Sequence, residues 1–469
     1  MFSFPDAFRA LDLEIILPLV SAPVAGFSID TRTLQPGQIF IALQGEKSDG
    51  HDFLKSALER GAWGAMIQKA FYIKHKAEIE SRRDLFRNLI LCEDALQTLT
   101  DLAALWRDKS GCKVIALTGS IGKTSTKDFL AYLLSLKFNV HSTQGNFNNH
   151  IGLPLTLLKL QPEHEFTVAE LGASHVGEIR GLCQILQPDS GLITMIAPAH
   201  LEGFGSLENV YEAKLELFQS LKPGAFALLQ DEDSELVQKA KRFPIQLKLV
   251  GTKPSSDYYL TDVVSESGWV SFKLNGQNFQ FPSSAAFLAR NAAMAAAMAD
   301  LMGFSLSEIP NVWSGFKLPQ GRFEEIRLGR DITLIYDGYN ANPGSFEKAV
   351  EAFDQMRFKG RKILVISDML ELGDQAEEYH EKLGLKIAAS RVDSVVAYGK
   401  YSSRVIQIIQ RENPGKLARH FDSAEAAGNF LKPSLMAGDA LLLKASRGMR
   451  IDKVADQLKQ ELGLSSLTV

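Results

Sequence analysis

Residues 113–117, Lys-Val-Ile-Ala-Leu, run directly into Thr118-Gly-Ser-Ile-Gly-Lys-Thr-Ser125. An apolar strand that ends in a glycine loop, closed by a lysine and a hydroxyl and followed by a helical pattern over 126–136, leaves a chain few folds. Such a strand–loop–helix unit belongs to α/β layers, in which parallel strands are joined by helical crossovers. The loop turns several backbone N–H groups toward phosphate oxygens. Lys123 is placed to reach the β- and γ-phosphates, and the Thr124 hydroxyl to bind Mg²⁺. ATP is the expected ligand, with Gly119, Ser120, Ile121, Gly122, Lys123, Thr124 and Ser125 around its phosphates. The usual spacing G-x-x-x-x-G-K-[ST] would put a glycine at 117, where this chain has Leu117, so the loop is a shorter variant in which Gly119 and Gly122 flank Ser120-Ile121. The bland alternative is a Gly-Ser turn with a solvated lysine; the strand before and the helix after argue against it.

A chain of 469 residues exceeds one ordinary core and implies two to four domains. Its 45% hydrophobic and 23% charged residues are those of a soluble globular protein. A net charge of −4 gives no electrostatic reason to expect a nucleic-acid partner. Cys92, Cys112 and Cys183 are scattered and odd in number. That pattern argues for reduced thiols in a cytoplasm and against a disulfide framework or a zinc site. Asp6, Arg9, Asp12 and Glu14 interrupt the N-terminal apolar stretch, so no signal peptide is expected. The uncharged run 15–29 is broken by Pro18 and Pro23 and is too short to span a bilayer. The Ala-rich run 285–299 contains Arg290 and Asn291 and reads as a packed helix rather than a membrane span.

Three α/β segments are expected, over 1–92, 93–320 and 321–469. In the first, 38–43 and 64–67 read as strands and 51–60 as a helix; a helix over 94–108 then leads to the loop. Apolar runs at 113–118, 166–171, 191–197, 225–229 and 246–250 alternate with amphipathic stretches, the pattern of a parallel sheet covered on both faces. Residues 258–282 change to short alternating segments around turns at 266–268 and 274–277, which predicts appended antiparallel strands. The last segment has strands at 332–336, 362–367, 394–398 and 440–444. It lacks G-x-G-x-x-G after its first strand and so is not expected to bind a dinucleotide independently. Repeats and low-complexity tracts are absent.

Polar residues gather at the strand ends, where open parallel sheets bind ligands. Glu170 closes the strand Val168-Ala-Glu and suits Mg²⁺, although an ion pair with a helix lysine would serve as well. His200 follows the strand at 191–197; a loop histidine is more often a satisfied surface residue than a ligand. Lys214 reads by composition as a solvated lysine on an amphipathic helix. Asp337 ends another strand and leads into Gly338-Tyr-Asn-Ala-Asn-Pro343, which fits either a capped turn with Ser345 as N-cap or a clamp on a ribose or substrate. Lys444, Arg447 and Arg450 crowd one strand end and call for a carboxylate or phosphate partner.

Taken together, the blocks at 118–124, 145–154 (Gly-Asn-Phe-Asn-Asn-His-Ile-Gly-Leu-Pro), 170–173, 199–205 (Ala-His-Leu-Glu-Gly-Phe-Gly), 337–343, 368–373 (Asp-Met-Leu-Glu-Leu-Gly) and 444–449 resemble the Mur ligases of peptidoglycan synthesis, in the right order along the whole chain. The resemblance implies a first domain that binds a UDP-sugar, a second that binds ATP, and a third that holds the incoming amine and part of the ATP. The blocks at 200–205 and 339–343 resemble the member that joins D-alanyl-D-alanine to UDP-MurNAc-tripeptide, so both are the implied substrates. By match, Ser28, Asp30, Thr31, Arg32, Gly45 and His51 fall where UDP is held. Asn146, Asn148, Asn149, Tyr339, Asn340, Lys444, Ser446 and Arg447 fall among substrate positions. Glu170 and His200, with Thr124, fall on metal positions, and Lys214 on a lysine that several relatives carry as a carbamate. Lys123, His200 and Lys214 are the implied catalytic residues; Asn291, Arg322 and Asp337 fall on ATP-contacting positions. Two departures stand out. Relatives often carry His-Asn-x-x-Asn to hold adenine, whereas this chain has Phe287-Leu-Ala-Arg-Asn291, keeping only Asn291; and Ala-Asn-His is here Ala173-Ser-His175.

The implied chemistry activates the tripeptide carboxylate as an acyl phosphate, which the amine then attacks. Domain closure would exclude water, with a hinge expected near 318–322 at Pro319 and Gly321. A cytoplasmic monomer with ATP and Mg²⁺ is expected. The alternatives are a sister ligase adding another amino acid, a folylpolyglutamate-type synthetase, a P-loop ATPase switch, and a UDP-sugar binding protein with a degenerate nucleotide site. Intact Lys123, Thr124, Glu170 and His200 argue against the last.

Overall fold

The computed structural model describes residues 3–18, 23–46, 48–266 and 268–464. Residues 19–22 of the uncharged run, and Ser267 of the expected turn at 266–268, lie outside the described residues. The chain gathers into two compact units, the first of Met1–Ala116, Phe138–Gly172 and Glu178–Asp189, the second of Leu117–Lys137, Ala173–Gly177 and Ser190–Val469.

The first unit contains a five-stranded sheet in the order Glu14–Ile16, Leu89–Cys92, Gly64–Gln68, Gln38–Ile41, Gly26–Ser28. Only the Glu14–Ile16 edge is antiparallel. Gly64–Gln68 and Leu89–Cys92 are buried almost throughout, which is why they read as unbroken apolar runs rather than alternating ones. The helix Ala95–Ser110 starts at Asp94, whose carboxylate accepts from the N–H groups of Leu96 and Gln97 at 2.8 and 2.9 Å, and stops at Gly111, where φ is +68°. Further along, Val140–Ser142 pairs in parallel with the fully buried Phe166–Glu170. The helix Glu178–Leu186 buries Ile179, Leu182, Cys183 and Leu186, the spacing of a single apolar stripe.

In the second unit, Ser190–Ile193, Phe226–Gln230 and Gln246–Gly251 run parallel, and the expected antiparallel extension follows as Tyr258–Glu266, Trp269–Leu274 and Gln277–Pro282. The helix after the glycine loop, Lys123–Ser135, packs on the Ala-rich Leu288–Leu301, whose small buried side chains permit close approach. Phe129 stacks on Phe316 with centroids 4.0 Å apart, beside a fully buried Trp313. A six-stranded sheet completes the unit in the order Glu324–Leu328, Ile332–Asp337, Ala440–Lys444, Lys362–Ile366, Ser394–Tyr398, Leu417–Phe421, parallel except for its first strand. Ala440–Lys444, last in sequence, inserts between the strands at 332–337 and 362–366. The strand order reverses there, and ligands bind at such reversals.

One expected strand is shorter than its apolar run. The stretch 191–197 is a strand only over Ser190–Ile193, because the chain then leaves the ladder and the carbonyl of Met195 accepts from the N–H groups of Ser120 and Ile121 at 2.8 and 3.2 Å. Among the described residues no helix is long and apolar enough to cross a membrane.

Candidate functional site

The glycine loop is shaped by what lies against it in the second unit. Gly119 has φ +144° and Gly122 φ +84°, conformations that favour glycine. A Cβ on Gly122 would stand 2.8 Å from Oδ1 of Asn291, so the one retained residue of the adenine-holding pattern packs under the loop itself. With the Ser120 and Ile121 amides on Met195, the first turn of the helix Lys123–Ser135 supplies the N–H groups and dipole that attract an anion. Lys123 folds back so that Nζ donates to the Gly119 carbonyl at 2.7 Å.

The loop faces two adjoining clefts. One, of about 550 Å³, is lined by Ser120, Ile121, Gly122, Lys123, His200, Arg322, Asn340, Asn342, Glu371 and their neighbours. The other, of about 660 Å³, is lined by Met195, Gln230, Phe287, Leu288, Asn291, Phe323, Asp337, Lys348 and Lys444 among others, and shares Ile121, Gly122 and Arg322 with the first. The first is polar and suits phosphates; the second has apolar walls suited to a base.

Arg322 bridges them. Its guanidinium donates to Thr124 Oγ1 at 3.1 Å and lies 4.0 Å from the centre of the Tyr339 ring, with Arg447 at 5.7 Å from that ring. Arg322 Nε is buried without a hydrogen-bond partner among the described residues. Asn342 Nδ2 donates to the Ser120 carbonyl at 3.3 Å, tying the 338–343 loop to the phosphate loop, while its side chain caps the helix Pro343–Gln355 in a capping box with Ser345. The N-cap is therefore Asn342, not Ser345; Ser345 holds the third helical position of the box.

Lys444 has its anion within the protein. Its Nζ, 2% exposed, meets Asp337 Oδ2 at 2.6 Å across register-paired strands and also faces the Asn340 carbonyl. Arg450 pairs with Asp452, so the crowd of cations at this strand end is largely neutralised internally. Ser446 Oγ accepts from the Leu370 N–H at 3.0 Å and is buried. That bond helps hold the loop 369–373, where Met369 N–H donates to His380 Nε2 at 3.0 Å. From this loop Glu371 pairs with His200 Nδ1, and its carbonyl accepts from the Glu202 N–H. Both His200 and Glu371 adopt positive φ, and the imidazole holds the Glu371 carboxyl below the usual carboxylate range.

Lys214 departs from the sequence reading. It is buried, 2% exposed, not solvated: its ammonium lies 5.1 Å from the Phe204 ring centre and 3.5 Å from the Ala173 carbonyl. The amphipathic stripe placed it at the margin of the apolar face, and the Ala173–Gly177 segment covers it. Glu216, on the same helix, accepts from the Gly177 N–H at 2.6 Å.

Within the first unit Glu170 is 2% exposed; Asn148 Nδ2 donates to its Oε1 at 2.8 Å, and Oε2 has no hydrogen-bond partner among the described residues. No lysine partner for it is seen among the described residues of that unit. Asn149 caps the turn at 151–152, and Asn146 stands exposed nearby. Among the UDP candidates, Asp30 accepts a forked bond from Arg32, which holds its carboxyl down to about 2. Ser28 Oγ bonds within the same turn, beside Thr31, and the Gly45 N–H donates to the Ser48 carbonyl. His51 is buried with both ring nitrogens engaged, Nδ1–H on Asp49 and Nε2 accepting from Gln68 N–H, so it shapes the loop rather than presenting a free nitrogen.

Sequence reading did not single out Gln230, Glu371 or Lys348 in these clefts. Gln230 ends a strand exactly as Glu170 does, so the same rule would have found it; Glu371 sits inside a block noted only as a match.

Comparison with known proteins bears on the family and the fold. The patterns described as Mur ligase family, catalytic domain; Mur ligase middle domain; and Mur ligase, glutamate ligase domain match residues 23–105, 117–299 and 321–447. The UDP-N-acetylmuramoyl-tripeptide--D-alanyl-D-alanine ligase of Bacillus subtilis is 34% identical over 437 residues, 93% of each chain. The Escherichia coli ligase of the same name is 32% identical over 445 residues, 92% of this chain and 93% of its own. A crystal structure of MurF from Acinetobacter baumannii superposes with a TM-score of 0.82 at 27% identity, over 98% of this chain and 99% of that one. MurF from Thermotoga maritima in complex with ADP gives 0.74 at 28% identity, over 93% and 98%. With its phosphate loop, its strand-end Glu170 and its 338–343 loop all lying in matched segments, this chain belongs to the Mur ligase family.

Proposed function

We propose that this protein is the ATP-dependent ligase that joins D-alanyl-D-alanine to UDP-MurNAc-tripeptide through an acyl phosphate, acting as a cytoplasmic monomer in peptidoglycan precursor synthesis. The observation that carries it is the pair of adjoining clefts around Lys123 and Arg322, in a chain that matches ligases of that name along 93% of its length. The domains are read as 1–92 for the UDP-sugar, 93–320 for ATP and 321–469 for the amine.

The tripeptide carboxylate attacks the γ-phosphorus of ATP and ADP leaves. The amine then attacks the acyl carbon, loses a proton, and expels phosphate. Every oxygen group in the first step is anionic, so fixed positive charge is required. Lys123, the first turn of its helix and Arg322 supply it. Asn291 keeps the loop in its αL-containing shape. Asn340 lines the phosphate cleft, Tyr339 lies against Arg322 with Arg447 beside its ring, and these three take the amine side, while the Lys444–Asp337 pair fixes the strand ends they grow from. Ser446 holds the 369–373 loop. Ser28, Asp30, Thr31, Arg32 and Gly45 take UDP.

Two environments suit Mg²⁺, one in each unit. The unpartnered Oε2 of buried Glu170 fits a divalent cation, because a buried carboxylate oxygen without a donor is costly; the Thr124 hydroxyl fits another ligand position. His200 and, as a carbamate, Lys214 are the remaining proposed ligands. The metal would neutralise phosphate charge during transfer.

Purified protein with ATP, UDP-MurNAc-tripeptide carrying diaminopimelate or lysine, and a panel of amino acids and dipeptides tests the reading. ADP release and a product heavier by one dipeptide are expected with D-alanyl-D-alanine alone. A single amino-acid adduct would make it a sister ligase, full turnover without any amine an ATPase, and a glutamylated folate, in a parallel reaction supplied with a folate and glutamate, a folylpolyglutamate synthetase.

A further inference from the structure

The second cleft has lost the asparagine with which relatives are expected to hold adenine: Leu288 stands at that position, and Asn291 is packed under Gly122. Most of the cleft's other polar side chains are engaged by the protein. Arg290 pairs with Glu232, Asp337 with Lys444, and Asn340 Oδ1 accepts from the Ala341 N–H at 2.9 Å. Gln230, like Arg322 Nε, keeps a polar atom without a hydrogen-bond partner among the described residues, and it alone of the two offers an acceptor. It ends the strand Phe226–Gln230, at the carboxyl edge where parallel sheets receive ligands, and it is only 7% exposed. Its Nε2 contacts the Met294 sulfur at 3.3 Å, while Oε1 has no hydrogen-bond partner among the described residues. Turning the amide over would set a carbonyl oxygen against a thioether that can only accept, which favours the orientation observed.

We propose that Gln230 is the base-reading residue of this enzyme, its side-chain carbonyl accepting a hydrogen bond from the 6-amino group of adenine. This rests on the ATP reading above. An acceptor suits adenine, whose 6-position donates, and opposes guanine or hypoxanthine, whose 6-oxygen accepts. A buried amide oxygen left unpaired by a ligand lacking the amine is the situation that gives strong discrimination. Met195, Phe287 and Leu288 supply the apolar walls for the ring.

Calorimetric titration of the full-length protein with ATP, purine riboside triphosphate (which lacks the amine) and inosine triphosphate, each with Mg²⁺, tests the assignment. The wild type is expected to prefer ATP over both analogues by about tenfold or more. Gln230→Leu is expected to bind all three alike, near the affinity of the wild type for purine riboside triphosphate. Gln230→Glu keeps an acceptor and is expected to keep a preference for ATP, which guards against a Leu variant that fails to fold. Unchanged ATP preference in Gln230→Leu, or no preference in the wild type, would overturn the assignment while leaving ATP binding intact. Absence of ATP binding by the wild type would overturn the ATP reading itself, and this assignment with it.

Discussion

Lys123 and Lys214 are both lysines near the same chemistry, yet their settings separate their roles. Lys123 rests on the Gly119 carbonyl, a weak neutral partner that a phosphate oxygen can replace. Lys123→Ala is expected to lower ligation by about 10²–10³-fold or more, the scale of losing one preorganised stabilising group, with an unchanged melting temperature. A coupled ADP assay beside a thermal melt checks both halves. Lys214 is buried against Phe204. If its working form is a carbamate, formed when neutral Nζ adds CO₂ and releases a proton, Lys214→Ala will lose activity and recover part of it in millimolar acetate or formate. An unaffected variant would remove the carbamate. Periodicity marks which face of a helix is apolar but not which polar neighbour a second segment will cover, so the burial of Lys214 was not legible. The phosphate loop was, because its requirements are local: strand, glycines, lysine, hydroxyl.

At the scale of elements, the long buried strands and their crossover helices announced themselves, while six short strands at 14–16, 26–28, 89–92, 140–142, 324–328 and 417–421 did not. Five of them are sheet-edge strands, so their composition is weakly constrained. Leu89–Cys92 is central and apolar but only four residues long, below the length at which an apolar run is decisive. The linkage of the 198–205 and 369–373 loops through His200 and Glu371 was illegible for another reason: it joins residues about 170 apart in the chain. The strand Val140–Ser142 carries a testable pH response. Burial drives the His141 imidazole down to about 4 from its ordinary 6.5, although the Thr156 carbonyl accepts from it at 2.9 Å. The native state thus binds fewer protons than the unfolded chain. Stability from this group is complete above pH 6.5 and falls as pH drops from there to 4, by up to on the order of 3 kcal/mol. Melting curves between pH 7 and 4.5 should show this loss, and His141→Gln should flatten it.

For the whole molecule, the division into two units sets where a ligand's influence should be felt. Both clefts around the phosphate loop are lined by residues of the second unit. ADP at a hundred times its dissociation constant should stabilise that unit by about 2.7 kcal/mol. Hydrogen exchange should slow in 119–135, 288–301 and 321–345 and remain unchanged in the sheet at 26–92. Equal protection everywhere would mean that the units open as one. The same division sorts the thiols. Cys92, Cys112 and Cys183 are all buried and all fall in the first unit, with Cys92 pushed up to about 11 by desolvation. A maleimide or disulfide reagent would therefore tag this protein only when a buried thiol of its first unit becomes exposed. Evolution has left a chain whose native sulfur reports the opening of one unit without installing a single probe.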